Sequence, residues 1–136
     1  MYVRNQSSFL HKRNVNGKTF TVFAGEKGNV MNVNTYKHSG LANEKTIAID
    51  VADGKVTMGL KAPKNATKPS KSINVTPLKK NFRRVAKSIK TQTANKFYRA
   101  DLTDKALARW SAIYRFTKVQ AGLKKKAKTK TGRRKP

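Results

Sequence analysis

The sequence predicts an α+β fold: a small antiparallel β-sheet module over 1–61, a linker over 62–77, two basic α-helices within 78–122 and a disordered basic tail over 123–136. Three observations carry this expectation. Up to about Leu60 the apolar residues gather in short runs of Phe, Val, Ile and Thr, which suit a half-buried pleated surface. Beyond Pro77 they recur every three or four residues, the period of a helix with one covered face. From Leu123 onward the chain holds eight bases and no acid, a composition that cannot bury a core by itself.

The first two strands are expected over Ser8 to Lys12 and Thr19 to Phe23, joined across Asn16-Gly17, a pair that favours a tight turn. A third and a fourth are expected over Thr46 to Val51 and Val56 to Leu60. Between them Ala52-Asp53-Gly54-Lys55 reads as a hairpin, because the favoured turn needs positive φ, which Gly adopts freely and Asp tolerates. Ile47, Ile49 and Val51 alternate with Ala48 and Asp50, so one face of the third strand should be covered. The stretch from Gly25 to Gly40 is less legible: Val30, Met31 and Val33 fit a strand or an irregular arm, and Asn29, Asn32 and Asn34 argue against a helix.

Pro63, Pro69 and Pro77 punctuate the linker, which is otherwise Lys, Asn, Ser, Thr and Ala with few apolar residues. After it Leu78, Phe82, Val85 and Ile89 share a face, while Lys79, Lys80, Arg83, Arg84, Lys87 and Lys90 cover the other side. The second helix is expected to open at Asp101 as a capping carboxylate, with Asp104 complementing the N-terminal dipole. Leu102, Ala106, Trp110 and Ile113 would form its apolar face, with Leu107 and Tyr114 beside them and Lys105, Arg109 and Arg115 around it.

Charge decides the class of partner. The chain carries 32 Lys and Arg against 6 Asp and Glu, a formal +26 on 136 residues. Residues 1–61 account for +5 of this and residues 62–136 for +21. Like charges at that density repel in a compact state and bind phosphate backbones by displacing condensed counterions, so the default partner is a nucleic acid. A solvated helix face usually interleaves acids with bases, and the face of Lys79 to Lys90 holds none, which makes it the first candidate surface.

Other classes fare poorly. The sequence has no cysteine, which removes disulfides, zinc ribbons and thiol catalysis. His11 and His38 lie far apart with few carboxylates, so no metal site and no catalytic residues are expected; surface or RNA-facing histidines are the better reading. Gly54-Lys55-Val56-Thr57 matches only the end of a phosphate loop, next to Asp50 and Asp53, and reads as a turn. Asn5, Asn65 and Asn74 open glycosylation sequons without meaning in an unexported chain. No apolar run nears the roughly 18 residues of a membrane span, and a signal peptide is not expected. The expectation is a non-enzymatic protein with no cofactor, no small-molecule substrate and no membrane partner.

Aromatic residues among the basic side chains suggest a way to hold unpaired nucleotides. Phe97-Tyr98-Arg99 follows Asn95-Lys96, where rings could stack and Arg could fork onto phosphate. Packing of Phe97 or Tyr98 beneath the helices is weighed ahead of stacking, and Trp110 is read as core.

The opening Val3-Arg4-Asn5-Gln6-Ser7-Ser8-Phe9-Leu10, followed by Lys12-Arg13-Asn14, resembles the eukaryotic ribosomal protein family numbered twenty-eight in the large subunit. Gly40-Leu41, Lys45-Thr46-Ile47, Ala52-Asp53-Gly54-Lys55, Asn95-Lys96, Tyr98-Arg99, Asp101-Leu102 and Arg109 to Ile113 are similar to it in order and approximate spacing. The chain departs from the family pattern in an extra Phe97 and in Ala100 at a proline position. The resemblance implies a structural constituent of the cytosolic large ribosomal subunit, passing through the nucleolus during assembly, with large-subunit ribosomal RNA and neighbouring large-subunit ribosomal proteins as partners. Candidate RNA-binding residues are then Arg4, Asn5, Ser7, Ser8, Lys12, Arg13, Lys79, Lys80, Arg83, Arg84, Lys87, Lys90, Lys96, Tyr98, Arg99, Arg109, Arg115, Lys124, Lys125, Lys126, Arg133 and Arg134. For Ser7 and Ser8 a role in a turn or strand start is equally open. The alternatives are a chromatin-associated basic protein and a ribosome-biogenesis factor with a similar N-terminal module.

Overall fold

A computed structural model describes residues 7–15, 19–52 and 54–126. The chain forms β1 (Leu10–Val15), β2 (Thr19–Ala24), β3 (Ile47–Ala52), β4 (Lys55–Lys61), β5 (Ile73–Pro77), α1 (Phe82–Thr93) and α2 (Thr103–Gln120), with short 3₁₀ turns at Pro63–Asn65, Pro69–Lys71 and Ala100–Leu102. This is the α+β arrangement expected, with the strands distributed over two sheets of two and three strands.

The N-terminal hairpin pairs antiparallel from Leu10 opposite Ala24 to Val15 opposite Thr19. Its Asn16-Gly17 turn lies outside the described residues. Pairing begins at Leu10 rather than Ser8, because Ser7 to Leu10 close a turn in which the Leu10 amide donates to the Ser7 carbonyl at 3.2 Å. The stretch 25–45 is an irregular arm and adds one isolated bridge, Phe23 to Val33, to the edge of β2. Val30 drops from this arm into the core at 2% exposure. Close approach requires glycine at Gly40, where a Cβ would fall 2.1 Å from the Lys27 carbonyl.

In the second sheet β4 is central, pairing with β3 on one side and β5 on the other, both antiparallel. The expected hairpin between β3 and β4 forms, with Gly54 at φ +70°. Alternation along β3 holds only in part. Ile47 and Ile49 are buried, but Val51 is 46% exposed, because burial covers the first half of the strand and not the second. The 62–77 stretch supplies more than a tether: Ile73–Pro77 completes the sheet, from Thr57 opposite Pro77 to Lys61 opposite Ile73. Pro77 costs no ladder bond there because β5 is an edge strand.

One buried cluster joins the arm, β3, β4 and both helical segments: Val30, Ile47, Ile49, Val56, Met58, Val85, Ile89, Leu102, Ala106 and Trp110. Helix α1 buries Val85, Ile89 and Thr93, and the α2 segment buries Leu102, Ala106 and Trp110, two stripes at four-residue spacing. Burying such a set contributes roughly 1.5–3 kcal/mol per large side chain before conformational entropy is counted.

Candidate nucleic-acid interface

The start of α2 differs from expectation in a way that shapes the surface. A 3₁₀ turn at Ala100–Leu102 precedes the helix, which begins at Thr103 without a side-chain cap bond. Asp101 instead faces cations: Arg99 Nε donates to its Oδ1 at 3.0 Å, Arg99 Nη2 to its Oδ2 at 3.2 Å, and Lys37 Nζ lies 3.8 Å away. The Arg99 hydrogen bond holds the Asp101 carboxyl below its ordinary value against the opposing effect of burial, with the Arg99 and Lys37 charges adding to the lowering. Asp104 lies in the first helical turn, as expected.

Several candidate residues turn inward. The Tyr98 hydroxyl donates to the Lys61 carbonyl at 2.6 Å and accepts from the Thr46 amide at 3.1 Å, joining the turn after α1 to β4 and to the start of β3. Burial raises its pKa, and those backbone bonds partly oppose the rise. Arg99 donates to the Lys37 and Lys45 carbonyls at 2.7 and 3.1 Å. Arg109 donates to the Ile49 carbonyl at 2.8 Å, to the Val30 carbonyl at 3.5 Å and to Asp50 Oδ1 at 3.2 Å, clasping α2, β3 and the arm. Lys61 reaches the Gly40 and Asn43 carbonyls at 3.1 and 2.9 Å. These cations fasten the arm. Trp110 is core, 1% exposed, with Phe82 at 4.6 Å and Tyr114 at 5.3 Å between ring centroids.

The outward set is different in kind. Lys79, Lys80, Arg83, Arg84, Lys87 and Lys90 are all exposed around α1, as is Lys96 beyond it. Between positions 79 and 96 there are seven bases and no acid. Lys80, Arg84, Lys87, Ser88, Thr91, Gln92 and Lys96 line an open groove of about 430 Å³ along one side of the helix. The helix brings them together because positions three, four, seven and eight apart share a face. Its walls offer cations for phosphate oxygens and hydroxyl and amide groups for sugars or base edges. Reasoning from charge identified the four bases and missed Ser88, Thr91 and Gln92, whose spacing from Arg84 and Lys87 was the available signal.

Among the remaining candidates Lys12, Arg13, Arg115, Lys124, Lys125 and Lys126 are exposed, and Ser7 and Ser8 belong to the turn before β1. Arg4, Asn5, Arg133, Arg134 and most of the expected tail lie outside the described residues. His38 is held by Thr35, whose hydroxyl lies 2.7 Å from Nδ1; burial first, then Lys37, Lys105 and Arg99, lowers its pKa. Among the described residues no cluster of His, Cys, Asp and Glu could hold a metal ion, and no helix is long and apolar enough to cross a membrane.

Comparison with known proteins adds to this geometry. The model of the ribosomal L28e protein family matches residues 1–116. Proteins described as large ribosomal subunit protein eL28 are similar in three organisms. That of Caenorhabditis elegans is 35% identical over 98 residues, covering 69% of this chain and 74% of the relative. That of Dictyostelium discoideum is 31% identical over 123 residues, covering 90% and 83%. That of Schizosaccharomyces pombe is 33% identical over 114 residues, covering 82% and 84%.

Proposed function

This chain belongs to the ribosomal L28e protein family, and from that premise we propose that it is a structural, non-catalytic constituent of the large ribosomal subunit that holds ribosomal RNA by neutralising phosphates. The observation that carries the RNA reading is the acid-free cationic surface of α1, with seven bases between positions 79 and 96 and a polar groove along one side. Three of the described acids are engaged away from this helix: Asp50 with Arg109, Asp101 with Arg99 and Lys37, and Glu26 with Asn29 and Ser39. Positions 79 to 96 themselves hold no carboxylate to repel phosphate along that helix. Phosphate contacts position the protein, while RNA shape and unpaired bases supply specificity. Lys12, Arg13, Arg115 and Lys124 to Lys126 extend the same chemistry, and the further bases of the tail add charge for phosphate. Neighbouring large-subunit proteins and passage through the nucleolus belong to the same reading.

The purified protein is expected to bind structured RNA with a steep salt dependence, its logarithmic slope rising by about 0.7–0.9 for each phosphate neutralised. Replacing Arg84 and Lys87 by Gln should reduce that slope by roughly 1.4–1.8 and leave the fold intact. Affinity that stays flat with salt overturns the reading. Co-sedimentation with chromatin in place of large subunits favours the DNA alternative.

A further inference from the structure

We infer that Phe97 is a stacking platform for one unpaired base of the bound RNA, an inference that rests on the RNA reading above. Two observations converge on this side chain. Phe97 is 86% exposed, more than any other large apolar side chain among the described residues. It also sits at φ +52°, a left-handed conformation that a bulky side chain rarely adopts. Strain of this kind persists where the surrounding structure over-determines it, and it concentrates at binding sites.

The surroundings do over-determine it. The turn after α1 is closed by the Phe97 amide on the Ala94 carbonyl at 3.1 Å and the Tyr98 amide on the Thr93 carbonyl at 2.8 Å. Immediately beyond, the Tyr98 hydroxyl is held at Lys61 and Thr46, and Arg99, itself at φ +50°, is held at Lys37, Lys45 and Asp101. Both following residues are anchored inward, so the ring cannot be drawn into the core without breaking those contacts. The platform is therefore organised before RNA arrives.

Charge selects the occupant. Phe97 directly follows Lys96, which lines the cationic groove with Gln92, Arg84 and Lys80. Protein interfaces are depleted of charge at their centres, whereas an aromatic face beside a phosphate track is the recurring arrangement for single-stranded nucleic acid. A phosphate on Lys96 leaves an attached base free to lie on the adjoining ring. Stacking tolerates any base, so the contact would favour unpaired nucleotides without reading sequence.

Two RNA probes of equal length separate the contributions: a hairpin with a single-stranded loop and a fully paired duplex. Phe97→Asn retains a residue suited to the left-handed backbone, so its melting temperature should equal or exceed that of the parent. Its affinity for the hairpin should fall by about 5- to 150-fold, with the salt slope unchanged and duplex binding unaltered. Phe97→Trp should restore hairpin affinity and show an added indole fluorescence that the hairpin quenches. Unchanged hairpin affinity for Phe97→Asn, or equal losses on both probes, overturns the inference while leaving the RNA reading in place. A parent protein without salt-dependent binding to either probe overturns both.

Discussion

Lysine and arginine perform two unrelated tasks in this chain, and residue type does not separate them. Lys61, Arg99 and Arg109 direct their charge at backbone carbonyls of the arm and of β3, whereas Arg84 and Lys87 line an open groove. The inward cations matter because an irregular arm leaves carbonyls without strand or helix partners, and a buried carbonyl without a donor costs about 1–3 kcal/mol. Asp101 belongs to this fastening network, and its behaviour is testable by pH. Its folded pKa lies below the ordinary value, so its contribution to stability is present above the unfolded pKa and disappears as pH falls through the folded one. Partial exposure, 40% of the side chain, and solvent screening limit that contribution to at most about 1 kcal/mol. Asp101→Asn should thus melt slightly below the parent at neutral pH, and the gap should close in strongly acidic buffer. A gap independent of pH, read from paired thermal melts, would show that Asp101 acts through something other than its charge.

The helices pack as two four-residue stripes joined by a polar contact. Thr103 Oγ1 donates to Thr93 Oγ1 at 2.9 Å, and Thr93 Oγ1 donates onward to the Ile89 carbonyl at 2.7 Å. Thr93→Val removes the acceptor for a buried hydroxyl and should destabilise by about 1–3 kcal/mol. Thr103→Val leaves Thr93 bonded to Ile89 and should cost less, and adding it to Thr93→Val should recover part of the loss, because no orphaned hydroxyl then remains. Denaturant melts of the four proteins form the cycle, and strict additivity would refute the coupling. The apolar faces around Val85, Ile89, Ala106 and Trp110 were legible from spacing alone. Thr93 and Thr103 were not, because a threonine at a helical interval reads as surface until its neighbour across the interface is known. Strand β5 was hidden for a similar reason. Three prolines and a polar composition describe a connector, and only the free edge of β4 turns Ile73–Pro77 into a strand.

At the scale of the molecule, self-repulsion and partner attraction respond oppositely to salt. A formal +26 on 136 residues destabilises the compact state, and ions shorten the reach of that repulsion to about 10 Å at 0.1 M. The isolated protein should therefore melt higher as ionic strength rises from about 10 mM to about 150 mM, while its affinity for RNA falls over the same range. A melting temperature that is flat or falling would mean that the positive charges are too far apart to strain the fold. Bound RNA should raise the melting temperature further at low salt, by mass action on the folded state.

The sequence by itself determined the α+β class, the antiparallel pairing of β1 with β2 and of β3 with β4, the apolar faces of the helices and the cationic face of α1. Each is a local or additive property: turn chemistry, periodicity and net charge need no knowledge of what lies across the fold. The hairpin turns themselves sit at or beside undescribed positions, but the strands on both sides pair as their sequences require. Only the tertiary structure decided which bases face outward, that Tyr98 and Arg99 anchor while Phe97 projects, and that Asp101 pairs with Arg99 in place of capping α2. Those outcomes depend on carbonyls and edges contributed by segments tens of residues away. A pattern of spacing along the chain does not encode them.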